Sequence, residues 1–134
     1  GGFITYRDPI RSASLRYDIP APLIAAVIQC ESNWDPHARS SAGARGLMQV
    51  LPRTALETAG VPPSRLWDPM TNIHVGTAYL RVLANRYPGN ASNVIAAYNA
   101  GPTRIDRGRQ LPRETRRYRA CVRRWYGAYA RSIR

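Results

Sequence analysis

The chain has 134 residues, enough for one domain with one hydrophobic core, and its apolar content of 44% is that of an ordinary globular protein. Its formal net charge of +12 comes from 20 arginines and no lysine; eleven arginines lie from Arg104 onward, where Asp106 and Glu114 are the only acids. No apolar run approaches the ~20 residues that cross a bilayer, and Cys30, Cys121, His37 and His74 show neither CxxC nor HExxH spacing, which argues against a metal, a redox cofactor or any other cofactor.

Strand signals are poor, with no sustained period-two alternation and no Asn-Gly hairpin turn, whereas helix signals recur along the chain. Residues 1–18 read as an N-terminal helix or extension, with the helix itself over roughly Pro9 to Tyr17. A second helix runs from about Ala21 to Asn33. Its core, "PAPLIAAVIQC", is almost wholly apolar, and Leu23, Ile24, Val27 and Ile28 recur at helical spacing. Glu31, one of three glutamates in the chain, follows Val27 by four residues and Ile28 by three, so it falls on the apolar face near the helix end. Burial and the negative end of the helix dipole both disfavour its ionised form. A carboxylic acid held protonated near neutral pH is what general-acid catalysis requires, although an isolated glutamate ending such a helix is more often a solvated boundary residue.

The polar stretch "DPHARSSAGARG" predicts a loop, followed by a short turn at "LMQV" and a helix opened by Pro52. "TNIHVGTAYLRVLANRY" predicts an amphipathic helix capped by Thr71 or Asn72 and stopped by Pro88-Gly89. "ASNVIAAYNAG" predicts another, ended by Gly101. The last helix begins near Pro112 and carries Tyr118, Cys121, Val122, Trp125 and Tyr129 on one face. The sum is an all-α domain of about six to eight helices. Asp35, Asp68 and Asp106 sit beside prolines or in an Arg-rich turn and read as turn or cap residues. The basic C-terminal part fits attraction to an anionic polymer or a solvated helix face. Specific nucleic-acid readout is disfavoured, because no helix-turn-helix, zinc knuckle or RNP-like motif accompanies the charge.

Four segments carry more specific information: "ESNWDPHARSSAGARGLMQVLPRTA" from Glu31, "DPMTNIHVGTAYL" from Asp68, "AYNAGP" from Ala97 and "LPRETRRY" from Leu111. In this order and spacing they resemble the soluble lytic transglycosylase domain of the lysozyme-like superfamily, over nearly the whole chain after residue 19. The resemblance implies a lysozyme-like domain with a substrate groove. It also implies cleavage of the β-1,4 bond between N-acetylmuramic acid and N-acetylglucosamine in peptidoglycan glycan strands, giving 1,6-anhydromuramoyl ends without added water. Glu31 matches the family's acid/base. It would protonate the glycosidic oxygen and then take the proton of the muramoyl C6 hydroxyl as that oxygen attacks C1, so one carboxylate suffices where most glycosidases need two. Ser40, Gln49, Tyr98, Asn99 and Tyr118 match positions expected to meet the sugar, with Tyr98 near the acid and able to hydrogen-bond it or the departing oxygen. Ser32, Gly46, Met48 and Glu114 match supporting positions: Ser32 at the helix end, Gly46 in a tight turn, Met48 in the core, and Glu114 holding groove loops.

The sequence departs from the family pattern at Leu51, where many relatives carry methionine, and at Cys30 and Cys121, which stand where aliphatic residues are common. The two cysteines are expected either to bridge, pinning the Glu31 helix to the last helix, or to remain buried thiols. Two other readings stand beside the transglycosylase: a hydrolytic muramidase like goose-type lysozyme, and a non-catalytic basic wall-binding or assembly subunit. The chain is expected to be a monomer without a transmembrane segment, exported to the periplasm or cell wall, with its signal either removed or left out of this sequence. Small members of this type often serve a secretion or conjugation apparatus.

Overall fold

Proline and left-handed residues punctuate the computed structural model, which describes residues 1–133. Its helices are α1 (Gly2–Thr5), α2 (Arg7–Tyr17), α3 (Ala21–Ser32), α4 (Pro52–Ala59), α5 (Pro69–Arg86), α6 (Ala91–Ala100), α7 (Pro102–Asp106) and α8 (Arg113–Ser132), with a single-turn 3-10 helix at Pro63–Trp67. Pro52, Pro69 and Pro102 each open a helix, where a missing N–H costs nothing. Asp18, Asn33 and Gly60 end α2, α3 and α4 in the left-handed conformation.

The domain is all-α, as the sequence predicts, and among the described residues no strand forms; the only β-type pairing is Arg39 with Arg45 and Arg45 with Val50, inside the loop between α3 and α4. Three local readings are corrected. Helix α2 begins at Arg7 rather than near Pro9. The cap of α5 is Asp68, whose carboxylate accepts from the Thr71 N–H at 3.0 Å and hydroxyl at 2.8 Å, so neither Thr71 nor Asn72 caps it. The short α1, α7 and 3-10 elements were not legible, because helices this short have little periodicity to read.

Helix α3 forms the axis of the domain. Ile24, Ala25, Ala26, Val27 and Ile28 are all fully buried, so its middle is apolar on every side. Its most extensive partner is α8, and α2 also packs on it. Helix α6 packs on α8 and α5, and α5 packs on α2 and α4. Each large aliphatic side chain buried here contributes roughly 1.5–3 kcal/mol of transfer free energy. Cys30 and Cys121 form a disulfide across the α3–α8 contact, with their Cα atoms 6.1 Å apart. The consequence for function is positional. The C-terminal end of α3, which carries Glu31, is held against the N-terminal half of α8, which carries Glu114 and Tyr118.

Candidate active site

Helix α3 stops abruptly after Glu31. Ser32 is its last residue, and Asn33 and Trp34 both adopt positive φ, at 51° and 67°. Such a reversal is uncommon for non-glycine residues and needs local support. Hydrogen bonds supply it: the Asn33 N–H donates to the Gln29 carbonyl at 3.1 Å, and the Trp34 indole donates to Gln29 Oε1 at 2.8 Å. The Tyr129 hydroxyl donates to the same Gln29 oxygen at 2.9 Å. Ser32 fastens the helix end to the next segment, its hydroxyl lying 2.7 Å from the Leu47 carbonyl. This bond ties the end of α3 to the loop that follows it.

Glu31 is partly buried and makes no full hydrogen bond to a described residue. Burial, the largest cause, pushes its carboxyl up from the ordinary 4.5 to about 7; proximity of the Tyr118 hydroxyl acts to lower it, and the charge of Glu114 adds to the rise. A carboxyl raised this far keeps a protonated fraction at neutral pH, which an ordinary glutamate does not.

Two tyrosines face the carboxyl. Tyr118, on α8, is 7% exposed, and its hydroxyl is buried without a partner at full hydrogen-bond geometry, although it lies close enough to Glu31 for each to shift the other. Buried hydroxyls are normally satisfied, so this one is an exception at the carboxyl. Tyr98, near the end of α6, is only partly covered as a residue, but its phenol lies deep. Burial and then the Glu31 charge raise its pKa well above the ordinary range. Its proton is already engaged, because the hydroxyl donates to the Met48 carbonyl at 2.7 Å. Tyr98 can therefore accept from a protonated Glu31 but has no second proton to give.

The loop from Asp35 to Val50 forms a wall beside the end of α3, tied to it through the bond from Ser32 to Leu47 and to α6 through the bond from Tyr98 to Met48. Gln49 is in neither a helix nor a free surface position. Its backbone is left-handed, with φ 50°, and its amide nitrogen donates to the carbonyls of Ala38 at 2.9 Å and Gly46 at 3.0 Å. Only its carbonyl oxygen remains to meet a ligand, so Gln49 is an acceptor. Ser40 Oγ accepts from the Ala44 N–H at 3.0 Å and keeps its own proton available. Asn99 Oδ1 accepts from the Thr115 hydroxyl at 2.8 Å, leaving its amide N–H groups as donors. Met48 is fully buried in the core. Gly46 sits at φ 76°, and a side chain there would strike the Asn72 amide and the Leu66 carbonyl.

Sequence reasoning missed the residue that organises this wall. Asn72 is fully buried on α5; its Oδ1 accepts from the Met48 N–H at 2.8 Å, and its Nδ2 donates to the carbonyls of Arg45 at 2.7 Å and Leu66 at 3.0 Å. The signal was present: Asn72 shares the apolar stripe of α5 with Gly76, Leu80 and Leu83, and an amide in such a stripe needs a polar partner from elsewhere. Thr115 was also missed, and it holds Asn99 in place. The neighbouring Glu114 is exposed and makes no hydrogen bond or ion pair among the described residues, so in this structure it ties no groove loop; its reach is through its charge. Arg116 and Arg117 are likewise exposed. Among the described residues no three His, Cys, Asp or Glu side chains converge as a metal-ligand set, and no helix is long and apolar enough to cross a membrane.

A central apolar helix ending in a shielded glutamate, walled by a loop, a tyrosine helix and a C-terminal helix, defines an all-α, lysozyme-like domain. The chain belongs to the transglycosylase SLT domain family, whose model matches residues 8–120. It is 38% identical over 109 residues to the soluble lytic murein transglycosylase of Escherichia coli K12, covering 76% of this chain and 17% of that protein. It is 44% identical over 111 residues to the membrane-bound lytic murein transglycosylase C of Edwardsiella ictaluri, covering 72% of this chain and 31% of that one. The chain thus spans less than a third of these relatives. Among solved structures, an inactive variant of the Pseudomonas aeruginosa lytic transglycosylase Slt, with glutamine in place of a glutamate, superposes with a TM-score of 0.88 at 31% identity, over 96% of this chain and 24% of that one. A 70-kDa soluble lytic transglycosylase in complex with bulgecin A gives a TM-score of 0.89 at 31% identity, with the same coverage.

Proposed function

We propose that this chain is a peptidoglycan lytic transglycosylase domain that cleaves the β-1,4 bond between N-acetylmuramic acid and N-acetylglucosamine, with Glu31 as its single acid/base. The observation that carries this reading is a shielded glutamate with its pKa near 7, facing the unpartnered Tyr118 hydroxyl. The family supports the reaction class, and a glutamate-to-glutamine change inactivates a relative of the same fold.

In this mechanism protonated Glu31 donates to the glycosidic oxygen as the bond to the muramoyl C1 breaks. The resulting carboxylate then accepts the proton of the muramoyl C6 hydroxyl as that oxygen bonds to C1, closing the 1,6-anhydro ring. The proton is returned, so no water enters and no second acid is needed. The Tyr118 hydroxyl is placed to stabilise the transient carboxylate or the departing oxygen. Gln49 and Ser40 on one wall and the Asn99 amide on the other offer an acceptor, a hydroxyl and donors, which suit sugar hydroxyl and N-acetyl groups. The chain would act where the wall is accessible, in the periplasm or at the cell wall, and its basic surface would favour the anionic polymer.

A hydrolytic outcome is the second reading, and one observation favours it: Glu114 is a second carboxylate whose charge reaches Glu31. Mass spectrometry of digested peptidoglycan separates the two. Anhydromuramoyl ends are the expected product; reducing ends would establish the muramidase instead. In a peptidoglycan zymogram, Glu31→Gln is expected to leave no clearing, and undiminished clearing would remove Glu31 from its role.

A further inference from the structure

A large cavity lies away from Glu31. It is a half-open cleft of about 770 Å³ between the N-terminal end of α3, the C-terminal end of α5, the start of α6 and the exposed side of α8. Leu23, which lines it, and Glu31 are separated by eight residues of α3, or roughly 12 Å along the helix axis. The two sites therefore share a helix but occupy different ends of it. Ile19, Leu23, Val94 and Ile95 give the cleft an apolar lining, with Ile19 and Val94 buried at its base. A volume of this order lies within the ~300–1,000 Å³ range of ligand-binding clefts.

The polar groups around that lining are one-sided. Arg119 and Arg123 stand one turn apart on α8, and neither makes an ion pair or side-chain hydrogen bond among the described residues. Asn85 and Asn90 have spent their acceptors: Asn85 Oδ1 takes the Arg81 Nε proton at 3.1 Å, and Asn90 Oδ1 takes the Asn93 N–H at 3.0 Å. Their amide N–H groups remain free. Among the described residues, Asp18 is the one carboxylate on the lining. The mouth therefore presents mainly unspent donors and positive charge around an apolar floor. Its complement is a molecule that carries apolar side chains together with several separated acceptors. A flat bilayer does not enter a concave cleft, and a single-headed acyl chain answers only one of the donors. A polypeptide segment with carboxylates flanking apolar side chains answers them all, because arginines match carboxylates bidentately and amide N–H groups match peptide carbonyls.

We propose that this cleft is a docking site for an acidic, amphipathic peptide segment of a partner protein, separate from the groove that holds Glu31. The test is to pan a phage library of random peptides of about twelve residues against the folded protein, counter-selecting with Arg119→Glu/Arg123→Glu. The recovered peptides are then resynthesised with a fluorescein label and titrated against wild type, against that double variant and against Ala91→Trp, which places an indole at the mouth from an exposed position on α6. Supporting results are peptides with two or more carboxylates bracketing apolar residues, and affinity at least about ten-fold weaker in the double variant. That loss should shrink as salt rises, and Ala91→Trp should weaken binding at all salt concentrations. Far-UV circular dichroism is expected to be unchanged in both variants, and zymogram clearing to be unchanged in Ala91→Trp, which separates this proposal from the reading of Glu31. Failure to recover peptides, recovery without the acidic pattern, or affinity that survives both changes would overturn it. So would binding of vesicles containing about one-third phosphatidylglycerol that Arg119→Glu/Arg123→Glu abolishes and Ala91→Trp leaves intact, since that pattern means surface attraction rather than docking.

Discussion

Two buried polar regions lie close together in this domain and are built in opposite ways. Around Asn72, every side-chain group has its partner: one oxygen and one nitrogen hold three backbone groups of the wall loop and the 3-10 turn. Around Glu31, the carboxyl lacks a full hydrogen bond, and the Tyr118 hydroxyl beside it is buried and unpartnered. A satisfied buried network fixes a shape, and an unsatisfied one keeps a group in an unfavourable protonation state or geometry. The first region makes the wall and the second is poised to do chemistry on what the wall holds. Changes at the two places should therefore separate activity from stability.

The largest effect is expected at Glu31. Glu31→Gln should reduce peptidoglycan cleavage by at least about a thousand-fold, as measured by release of soluble muropeptides, since it removes the only proton carrier in the mechanism. It should also stabilise the fold. The pKa of the folded state, about 7, lies above the ordinary 4.5, so ionised Glu31 costs stability. That cost is complete above pH 7, declines as pH falls through 7, and vanishes below about 4.5. By linkage it is at most about 3 kcal/mol at pH 8. Urea unfolding should therefore find Glu31→Gln more stable than wild type at pH 8, and nearly equal to it at pH 4.5.

Asn72→Leu should do the reverse. It leaves the Met48 N–H and the Arg45 and Leu66 carbonyls without their partner and is expected to cost about 2–4 kcal/mol in urea unfolding. Activity should fall only as far as the wall loop loosens. The third effect is smaller and falls on catalysis alone. Tyr118→Phe removes a hydroxyl that makes no hydrogen bond of full geometry in the resting fold, so stability should change by less than about 1 kcal/mol, while kcat drops roughly ten- to a hundred-fold. Because the hydroxyl acts to lower the Glu31 pKa, the corresponding limb of the pH–rate profile should move upward. The smallest effect is that of Glu114→Gln. Removing a like charge should lower the Glu31 pKa slightly and leave the product distribution unchanged; loss of activity on the scale of Glu31→Gln would make Glu114 a second catalyst.

How much of this was legible in the sequence depended on whether the signal was local. The position of Glu31 followed from helical spacing against Val27 and Ile28, and burial does push its carboxyl upward as that spacing predicts. The long helices could be read because they present stripes over several turns. The polar clamp could not, because Asn72 joins groups 24 and 27 residues away, and no spacing rule announces such a pairing. The same reason hid the left-handed backbone of Gln49 and the spent proton of Tyr98, whose acceptor lies 50 residues away. The turn that carries Glu114 held a further signal that spacing could not show. Glu114 is expected from the resemblance to hold groove loops, and Thr115 is the residue of that turn that is buried and holds Asn99.

The claim on which the rest depends is that Glu31 holds its proton near neutral pH. The chain has only three glutamates, Glu31, Glu57 and Glu114, so carbon-13 NMR of their side-chain carboxyls, assigned with Glu31→Gln, can follow each through a pH titration. The account predicts that Glu31 titrates with a midpoint near 7. A midpoint at the ordinary 4.5 would contradict it, because a carboxyl already ionised at neutral pH has no proton to give the glycosidic oxygen.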